Sequence, residues 1–376
     1  MKRNLMLFII LIIQFVLITA CSHKNKETNV LTKYKTIKIA VDDSVANHQL
    51  LLRYYYNNRS SESFLYFFNE IRNTIEIYNI DSKKLFKLIR LHDPIDYDEV
   101  YIQNFDSIFY YNRYEEKLRL CNIEGDIYKT WNFHNDLRIK NSDDFYEASG
   151  FSGESMQFLN NKIYIHVGAP YFPKKFYLYN TLLIYDLNTN SGYTTITFPD
   201  NYLHNKDFAK YGSAFCIANN KLVYSYQVNH NIYIYDLKGN FVKSYPVKSN
   251  YLENFPYLDP EDERNMTSYR KIRDSVGEYV SINYDPYEKL YYRIVRHNYP
   301  QFGDKNRVYH FLDNNWSIIF LDTNFKIIAE QAFPGKKYDI YSIFPTNEGF
   351  MIMENPKFDK YNLTFDIFKI NKDKIR

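Results

Sequence analysis

The sequence has few residues that would separate it into domains. It contains only 11 glycines and 12 prolines in 376 residues, and no stretch is rich in either. Closed all-β folds often reach this length as one unit, so we predict a single domain. A large excess of one sign of charge is also missing, because 47 Lys and Arg nearly balance 44 Asp and Glu. Without a basic excess or a basic block, the chain has no electrostatic reason to bind nucleic acid.

Recognised catalytic signatures are missing as well. The sequence contains no Gly-x-Ser-x-Gly, no His-Glu-x-x-His, no phosphate-binding loop and no Cys-x-x-Cys, so no catalytic residue is assigned from a motif. Tryptophan is scarce, with two residues beside 39 Tyr and 29 Phe. Tyrosine and phenylalanine suit β-strands, where they pack across neighbouring strands. Stacking against sugars is the alternative role for these aromatic residues.

The chain has one long apolar run, and it lies at the N-terminus. Two basic residues precede Leu5–Ile18, and small residues then lead to Cys21. The run is shorter than the roughly 20 residues of a membrane-spanning helix. It resembles a bacterial lipoprotein signal, which implies that residues 1–20 are removed and that Cys21 is lipidated and anchors the protein in a membrane.

This resemblance implies a cellular location and a division of the chain into segments. Residues 21–33 are polar without apolar periodicity and are interpreted as a lipidated tether, and residues 34–376 as the folded domain. The expected location is the bacterial cell envelope, with the outer membrane favoured. Whether the protein faces the periplasm or the cell surface stays open. The two remaining cysteines, Cys121 and Cys216, lie in non-adjacent repeats and are predicted to be buried thiols.

A short phrase recurs along the chain: an apolar residue, usually Tyr, then Asn or Asp, then an apolar residue. The clear copies are Ile77–Ile80, Leu120–Ile123, Ile184–Leu187 and Ile234–Leu237, and weaker copies are Ile318–Leu321 and Ile367–Ile370. Each copy closes a run of alternating apolar and polar residues, which is typical of a β-strand. Such repetition every few dozen residues in an all-β chain predicts a β-propeller.

Four strand-like runs can be assigned to each repeat, which predicts six blades of four antiparallel strands. Seven blades stay open because the fifth repeat contains long gaps. The last repeat has only three runs, and Tyr34–Val41 alternates as a half-buried strand should. We therefore predict that Tyr34–Val41 pairs with Asn362–Ile370 and closes the ring, which removes an exposed sheet edge.

The connections between the predicted strands differ in length. Those joining strands one to two and three to four are tight turns, such as Asn160-Asn161 and Asn219-Asn220. The long connections all follow strand two or strand four: His134–Gly153, Ala169–Asn180, Pro199–Tyr211, Lys248–Gly277 and Asn298–Asn314. In an up-and-down blade these belong to one face, and long loops on a rigid scaffold often carry function. Loops also tolerate insertions by drift.

Polar clusters in these connections are the candidate binding residues. They are His134, Asp136, Asp143, Asp144, Glu147, Glu154, His204 and Asp207. The two histidine clusters, one in each of two successive crossovers, suggest a shared metal or an acid–base pair, and chance adjacency in an Asn-rich chain explains them equally well. The acidic run that ends at Glu154 has the oxygen ligands that calcium needs. We predict no metal ligand set and no cofactor, with calcium as the open alternative.

The signal ending at Cys21, the length and the repeated Ile-Tyr-Asp-Leu phrases resemble an uncharacterised propeller family of gut-type Bacteroidota. That family is described as domain of unknown function 4221. The resemblance covers the mature chain and implies a six- or seven-bladed propeller on a lipid anchor. It implies no catalytic residues.

Two function classes follow from these observations. The first is a membrane-anchored binding or scaffold module that holds a protein, peptide or glycan on its long-loop face. The alternative is a hydrolase or lyase of sugar or lactone type, with a metal- or acid-based site at the mouth of the channel. Propellers support both classes, so the fold does not choose between them. A sensor partner for an envelope complex is a third hypothesis.

Overall fold

The protein is described from a computed structural model that covers residues 29–42, 45, 51–91, 99–138, 146–148, 156–168, 178–200, 202, 212–255, 275–298, 313–355, 359 and 361–374. The elements described over their full length are β-strands and a short 3₁₀ helix, Lys372–Lys374. The strands form six separate antiparallel sheets arranged as the blades of a propeller. This confirms the predicted fold class and the count of six.

The blades follow one another along the chain, each starting with its innermost strand. Blade 1 is β2 (Arg53–Asn57), β3 (Glu62–Asn69), β4 (Thr74–Asn79) and β5 (Lys84–Arg90). Blade 2 is β6 (Glu99–Asn104), β7 (Ser107–Asn112), β8 (Lys117–Cys121) and β9 (Ile127–Asn132). Blade 3 is β10 (Glu147–Ala148), β11 (Met156–Leu159), β12 (Lys162–Gly168), β13 (Asn180–Asp186) and β14 (Ser191–Thr197).

The second half of the chain repeats this arrangement. Blade 4 is β15 (Ser213–Ala218), β16 (Lys221–Tyr226), β17 (Asn231–Tyr235) and β18 (Phe241–Pro246). Blade 5 is β19 (Glu278–Asp285), β20 (Leu290–Arg296), β21 (Trp316–Leu321) and β22 (Ile327–Phe333). Blade 6 is β23 (Tyr338–Thr346), β24 (Gly349–Glu354), β25 (Asn362–Ile370) and the N-terminal strand β1 (Leu31–Ala40).

The N-terminal strand closes the ring, as predicted. β1 pairs antiparallel with β25 from Leu31 opposite Ile370 to Ala40 opposite Asn362. The strand begins at Leu31 rather than Tyr34, so residues 31–33 of the expected tether belong to the propeller. The buried carboxylate of Asp366 helps to hold the strand, because it accepts hydrogen bonds from Thr36 Oγ1 at 2.7 Å and from Tyr338 OH at 2.8 Å.

The innermost strand of blade 3 differs from the expected single run. β11 pairs with the first part of β12, and the two-residue strand β10 pairs with its end, where Glu147 lies opposite Gly168. The sequence pattern predicted only β11, because a two-residue strand is too short to show alternation.

The repeated phrase forms the turn after the third strand of each blade. Asp236 Oδ1 accepts hydrogen bonds from the backbone N–H groups of Lys238 at 2.8 Å and Asn240 at 2.9 Å. In blade 5 the same role falls to Asp322, which accepts from Asn324 N and Lys326 N. The copy assigned to Ile318–Leu321 was therefore out of register, since the true polar residue follows Leu321. Short polar side chains suit this position because they satisfy turn backbone groups.

The hydrophobic core lies between the blades. Each of six apolar clusters joins neighbouring blades; one of them, around Trp316 and Phe350, also includes Val30 and Leu31 of the N-terminal segment. Burial of apolar side chains on both faces of every sheet contributes roughly 25 cal/mol per Å². Cys121 and Cys216 lie in this core as free thiols, and burial raises the pKa of Cys121 to about 12.

The two ends of the strands carry different connections. At the end that we call the turn end, strands one and two and strands three and four are joined by two to five residues. At the opposite end, the loop end, the connections include 41–52, 133–146, 169–179, 198–212, 247–277 and 297–315. This is the one-sided distribution expected from the sequence. Within the described ranges, no helix is long and apolar enough to cross a membrane.

Candidate functional site

Most of the binding residues predicted from the sequence lie outside the described part of the chain. These are Asp143, Asp144, Glu154, His204 and Asp207, and the same is true of the lipidation site Cys21. Three candidates are described: His134, Asp136 and Glu147.

The described candidates do not form one cluster. His134 Nδ1 lies 2.5 Å from Glu116 Oε2, which belongs to the connection between β7 and β8 of the same blade. Asp136 Oδ1 accepts a hydrogen bond from the backbone N–H of Gly192 at 2.7 Å, on the outermost strand of blade 3. The first contact lies within blade 2, and the second links blade 2 to blade 3. Glu147 lies elsewhere, in the short strand β10, opposite Gly168 of β12.

No group of three His, Cys, Asp or Glu side chains that could hold a metal ion is present among the residues that the structure describes. The acidic run considered for calcium includes Asp143, Asp144 and Glu154, which are outside those residues. Calcium binding therefore stays a prediction.

A concave site in the described structure lies along the inner strands of blades 5, 6 and 1. It is a cavity of about 290 Å³, which we call the channel cavity. Its lining is Arg53, Tyr54, Tyr56, Val280, Ser281, Asn283, Tyr284, Pro286, Tyr287, Tyr292, Ile294, Ile340, Tyr341, Ile343, Phe344 and Pro345. Six of these residues are tyrosines, and they come from strands far apart in the sequence.

Tyrosines from different blades meet at the turn end of the channel cavity. Tyr287, in the turn after β19, lines the cavity together with Tyr54 of blade 1, whose hydroxyl is hydrogen-bonded to Ser63 Oγ at 2.9 Å. The ring of Tyr287 contacts that of Tyr56 edge-on, with the centroids 6.4 Å apart. Burial raises the pKa of both Tyr54 and Tyr287, so their phenol groups stay neutral at physiological pH.

One charged residue lines the channel cavity, and it is neutralised by a partner. Arg53 Nη2 donates to both carboxylate oxygens of Glu99, at 3.0 and 3.2 Å, and Nη1 donates to the carbonyl of Leu52 at 3.2 Å. The pair links the innermost strands of blades 1 and 2, and both side chains are largely buried. Hydrogen bonds between two ionised groups are stronger than those between neutral groups.

A second concentration of polar groups is buried between blades 4 and 5, near the loop end. The guanidinium of Arg293 is fully buried on β20 and lies over the ring of Tyr279, 3.2 Å from its centroid. It donates to Ser225 Oγ at 2.8 Å. Its other acceptors are the backbone carbonyls of Tyr226, Asn229, His230, Asn231 and Val247. Burial lowers its pKa to about 10, so it remains charged.

Beside Arg293 lies a chain of hydrogen bonds centred on Glu330. The carboxylate accepts from Ser249 Oγ at 2.6 Å, from Ser317 Oγ at 2.7 Å and from the backbone N–H of Asn250 at 2.8 Å. Ser317 in turn accepts from His297 Nε2 at 2.9 Å. Burial lowers the pKa of His297 to about 4, which keeps its imidazole neutral. We call Arg293, Glu330 and their partners the blade 4–5 polar cluster.

The blade 4–5 polar cluster combines Ser, His and Glu, but the order of its hydrogen bonds does not suit nucleophilic catalysis. In a catalytic triad the histidine lies between the serine and the carboxylate and removes the serine proton. Here Ser317 lies in the middle and donates a hydrogen bond to Glu330. The cluster instead joins the start of the long connection 247–277 to blade 5.

Neither the channel cavity nor the blade 4–5 polar cluster was predicted from the sequence. Runs such as Arg53–Tyr56 and Tyr284–Tyr287 were visible as tyrosine-rich strand ends. They gave no signal of a shared site, because nothing local indicates which strands meet across the channel.

Comparisons with known proteins agree with the architecture. The model of the family described as "Domain of unknown function (DUF4221)" matches residues 27–332. The crystal structure of a member of this family from Bacteroides vulgatus superimposes with a TM-score of 0.75 at 22% identity, covering 91% of this chain and 98% of that chain. A "putative exported protein" from Bacteroides fragilis matches with a TM-score of 0.53 at 10% identity, covering 93% and 98%. No curated protein matches the sequence.

Proposed function

Because the chain belongs to the DUF4221 family and folds as a six-bladed propeller, we propose that it is a lipid-anchored binding module of the cell envelope. Its ligand is a protein, peptide or glycan that contacts the loop end, and Cys21 carries the anchor. The observation that supports this function most directly is the unequal distribution of connections between the two ends. Ordering long segments costs conformational entropy, and binding sites on rigid scaffolds are often built from such segments.

The point where the chain enters the propeller supports the same arrangement. Leu31 pairs with Ile370, the last residue of β25, so the N-terminal segment reaches the propeller at the turn end. Val30 O accepts a hydrogen bond from Asn371 N at 2.7 Å, which fixes the entry point. At about 3.3–3.6 Å per residue, the segment from Cys21 to Val30 spans at most about 30 Å. A lipid on Cys21 would then keep the turn end near the membrane and direct the loop end away from it.

The anchor is tested by Cys21→Ser in the natural host. We expect the variant to lose its lipid, observed as the missing acyl mass on the N-terminal peptide, and to move from the membrane fraction to the soluble fraction. The name of the Bacteroides fragilis relative, an exported protein, is consistent with passage through the inner membrane. A variant that stays in the membrane fraction would contradict the anchor.

The binding end is tested by site-specific photo-crosslinking in the same host. A photoreactive residue replaces exposed Ile71 or Lys336 at the loop end, and exposed Lys83 or Asn188 at the turn end serves as the matched control. We expect one common adduct from both loop-end positions and none from the turn-end positions. Adducts of equal yield from the two ends would contradict binding through the loop end.

The alternative of a sugar or lactone enzyme depends on acids and histidines that include Glu154 and His204. Both residues lie outside the described part of the chain. The enzyme hypothesis therefore stays a prediction from the sequence.

A further inference from the structure

We propose that the channel cavity is a second binding site, separate from the loop end, and that its ligand is a neutral, polyhydroxylated ring of the size of one pyranose sugar. This inference does not depend on the lipid anchor or on the ligand of the loop end. It is based on the volume, lining, charge and entrance of the cavity.

The volume of the channel cavity limits the ligand to a small molecule. The cavity has a volume of about 290 Å³. Pockets for small organic ligands usually start near 300 Å³. The space therefore suits one ring and is too small for an extended peptide or an oligosaccharide.

The lining combines apolar surfaces with neutral hydrogen-bonding groups. Val280, Ile294, Ile340, Ile343 and Phe344 supply the apolar part. The polar groups are the hydroxyls of tyrosines, the hydroxyl of Ser281 and the amide of Asn283, whose Nδ2 donates to Ser281 Oγ at 3.1 Å. A pyranose has apolar C–H faces and a rim of hydroxyls. It can therefore pack against aromatic rings while its hydroxyls exchange hydrogen bonds with such groups.

The electrostatics of the lining favour an uncharged ligand. Arg53 is the one charged residue among the lining residues, and its Nη2 donates to both carboxylate oxygens of Glu99. Burial raises the pKa of Tyr341 as well as those of Tyr54 and Tyr287, so these phenols carry no charge. An anion in the cavity would lose its hydration without gaining an unpaired cation.

The exposed residues of the lining lie at the turn end, which we take as the entrance, and an aromatic residue forms the rim there. Tyr287 is 36% exposed, and Pro286 beside it is also exposed. The edge contact with Tyr56 orients the Tyr287 ring at this end of the lining. A ring placed in this way offers a face on which a sugar entering from solvent can stack.

The test uses the full mature protein in a detergent without a sugar headgroup, because glucoside and maltoside detergents would compete for the site. The probes are the methyl glycosides of glucose, galactose and mannose, with glucuronic acid as the charged comparison. Saturation-transfer NMR detects contact, and a titration up to about 10 mM gives the dissociation constant. We expect at least one neutral glycoside to bind in the millimolar range and more tightly than glucuronic acid.

Variants locate the binding. Tyr287→Ala and Asn283→Ala should each weaken binding about tenfold. Tyr128→Ala, which removes an exposed tyrosine on the outermost strand of blade 2, should leave it within about twofold. Unchanged circular dichroism and thermal midpoint confirm that the cavity variants are folded.

Three results would overturn the proposal. They are the absence of binding by all three glycosides, binding that survives both cavity variants, and equal affinity for glucuronic acid. Crosslinking at the loop end would be unaffected by any of them, so failure here is distinguishable from failure of the proposed function.

Discussion

The blade 4–5 polar cluster and the channel cavity both place polar side chains inside the propeller, but they complete their hydrogen bonds differently. In the cluster, protein atoms occupy every donor position of Arg293 and surround the carboxylate of Glu330. In the cavity, tyrosine, serine and asparagine groups line open volume. The first arrangement leaves no place for a ligand, whereas the second leaves hydrogen-bonding surface available to one.

This difference separates residues that maintain the fold from residues that are available for binding. A buried polar group whose partners belong to the protein is costly to disturb, because its partners are then left unsatisfied. A group that faces water in a cavity can exchange that water for a ligand hydroxyl, so its loss changes stability little. The following substitutions test the comparison, in order of decreasing expected effect on stability.

Arg293→Met should have the largest effect. The variant leaves the carbonyls around the lost guanidinium without donors, and removing one member of a buried charged network costs about 3–5 kcal/mol of unfolding free energy. Urea denaturation followed by circular dichroism measures the loss. The matched control is Arg59→Met in an exposed turn, expected to be within about 0.5 kcal/mol of the wild type. Similar losses in the two variants would show that the cluster contributes little.

Glu330→Gln should have the next largest effect, about 2 kcal/mol, because hydrogen bonds to a charged acceptor are stronger than those to an amide. The amide also turns a donor toward groups that are themselves donors, Ser249 Oγ or Asn250 N. Urea denaturation again measures the change. Glu124→Gln at the exposed turn end is the control and should change stability by less than about 0.5 kcal/mol.

His297→Gln should change the pH dependence of stability. Burial lowers the pKa of His297 to about 4 in the folded protein, whereas the pKa of histidine in the unfolded chain is near 6.5. Between these two pH values the imidazole is neutral in the folded protein and protonated in the unfolded chain. Stability is therefore lost as the pH falls from about 6.5 toward 4. Between pH 7 and pH 5.5 the variant should lose about 1 kcal/mol less than the wild type. Parallel pH profiles of the urea midpoint would contradict a buried neutral His297.

Asn283→Ala should have the smallest effect on stability, within about 0.5 kcal/mol, because the side chain lines the channel cavity and water can replace its contacts. The same variant is expected to weaken glycoside binding. A loss above about 2 kcal/mol would place Asn283 with the residues that maintain the fold. Denaturation and the glycoside titration, performed on one preparation, separate the two roles.

Much of the fold was predictable because local patterns encode it. Alternation predicted the strands of all six blades, and turn pairs such as Asn160-Asn161 and Asn219-Asn220 indeed adopt the left-handed backbone conformation that tight hairpins require. The pairing of the N-terminal strand with β25 was predictable because the last repeat has only three strand-like runs and needs a fourth strand. The copy of the repeated phrase before Asp322 was placed out of register because the apolar run of β21 continues to Leu321, so the polar residue comes two positions after Phe320, the position assigned to it.

The candidate site was less predictable. His134 and Asp136 were grouped because they are close in sequence. In the structure, one contacts Glu116 of its own blade and the other the backbone of Gly192 in the next. The channel cavity, in contrast, joins Arg53 and Tyr54 to residues of β19 and β23 that follow more than 200 positions later. No local periodicity carries that information.

The amino-acid sequence by itself determined most strands and turns and favoured six blades over seven, because apolar alternation and turn chemistry act between neighbouring residues. Only the tertiary structure decided which buried polar groups are satisfied by protein atoms and which face open volume. The reason is geometric: alternation indicates to which face of its sheet a side chain points. The groups that meet around the axis depend on how the six sheets are arranged around it.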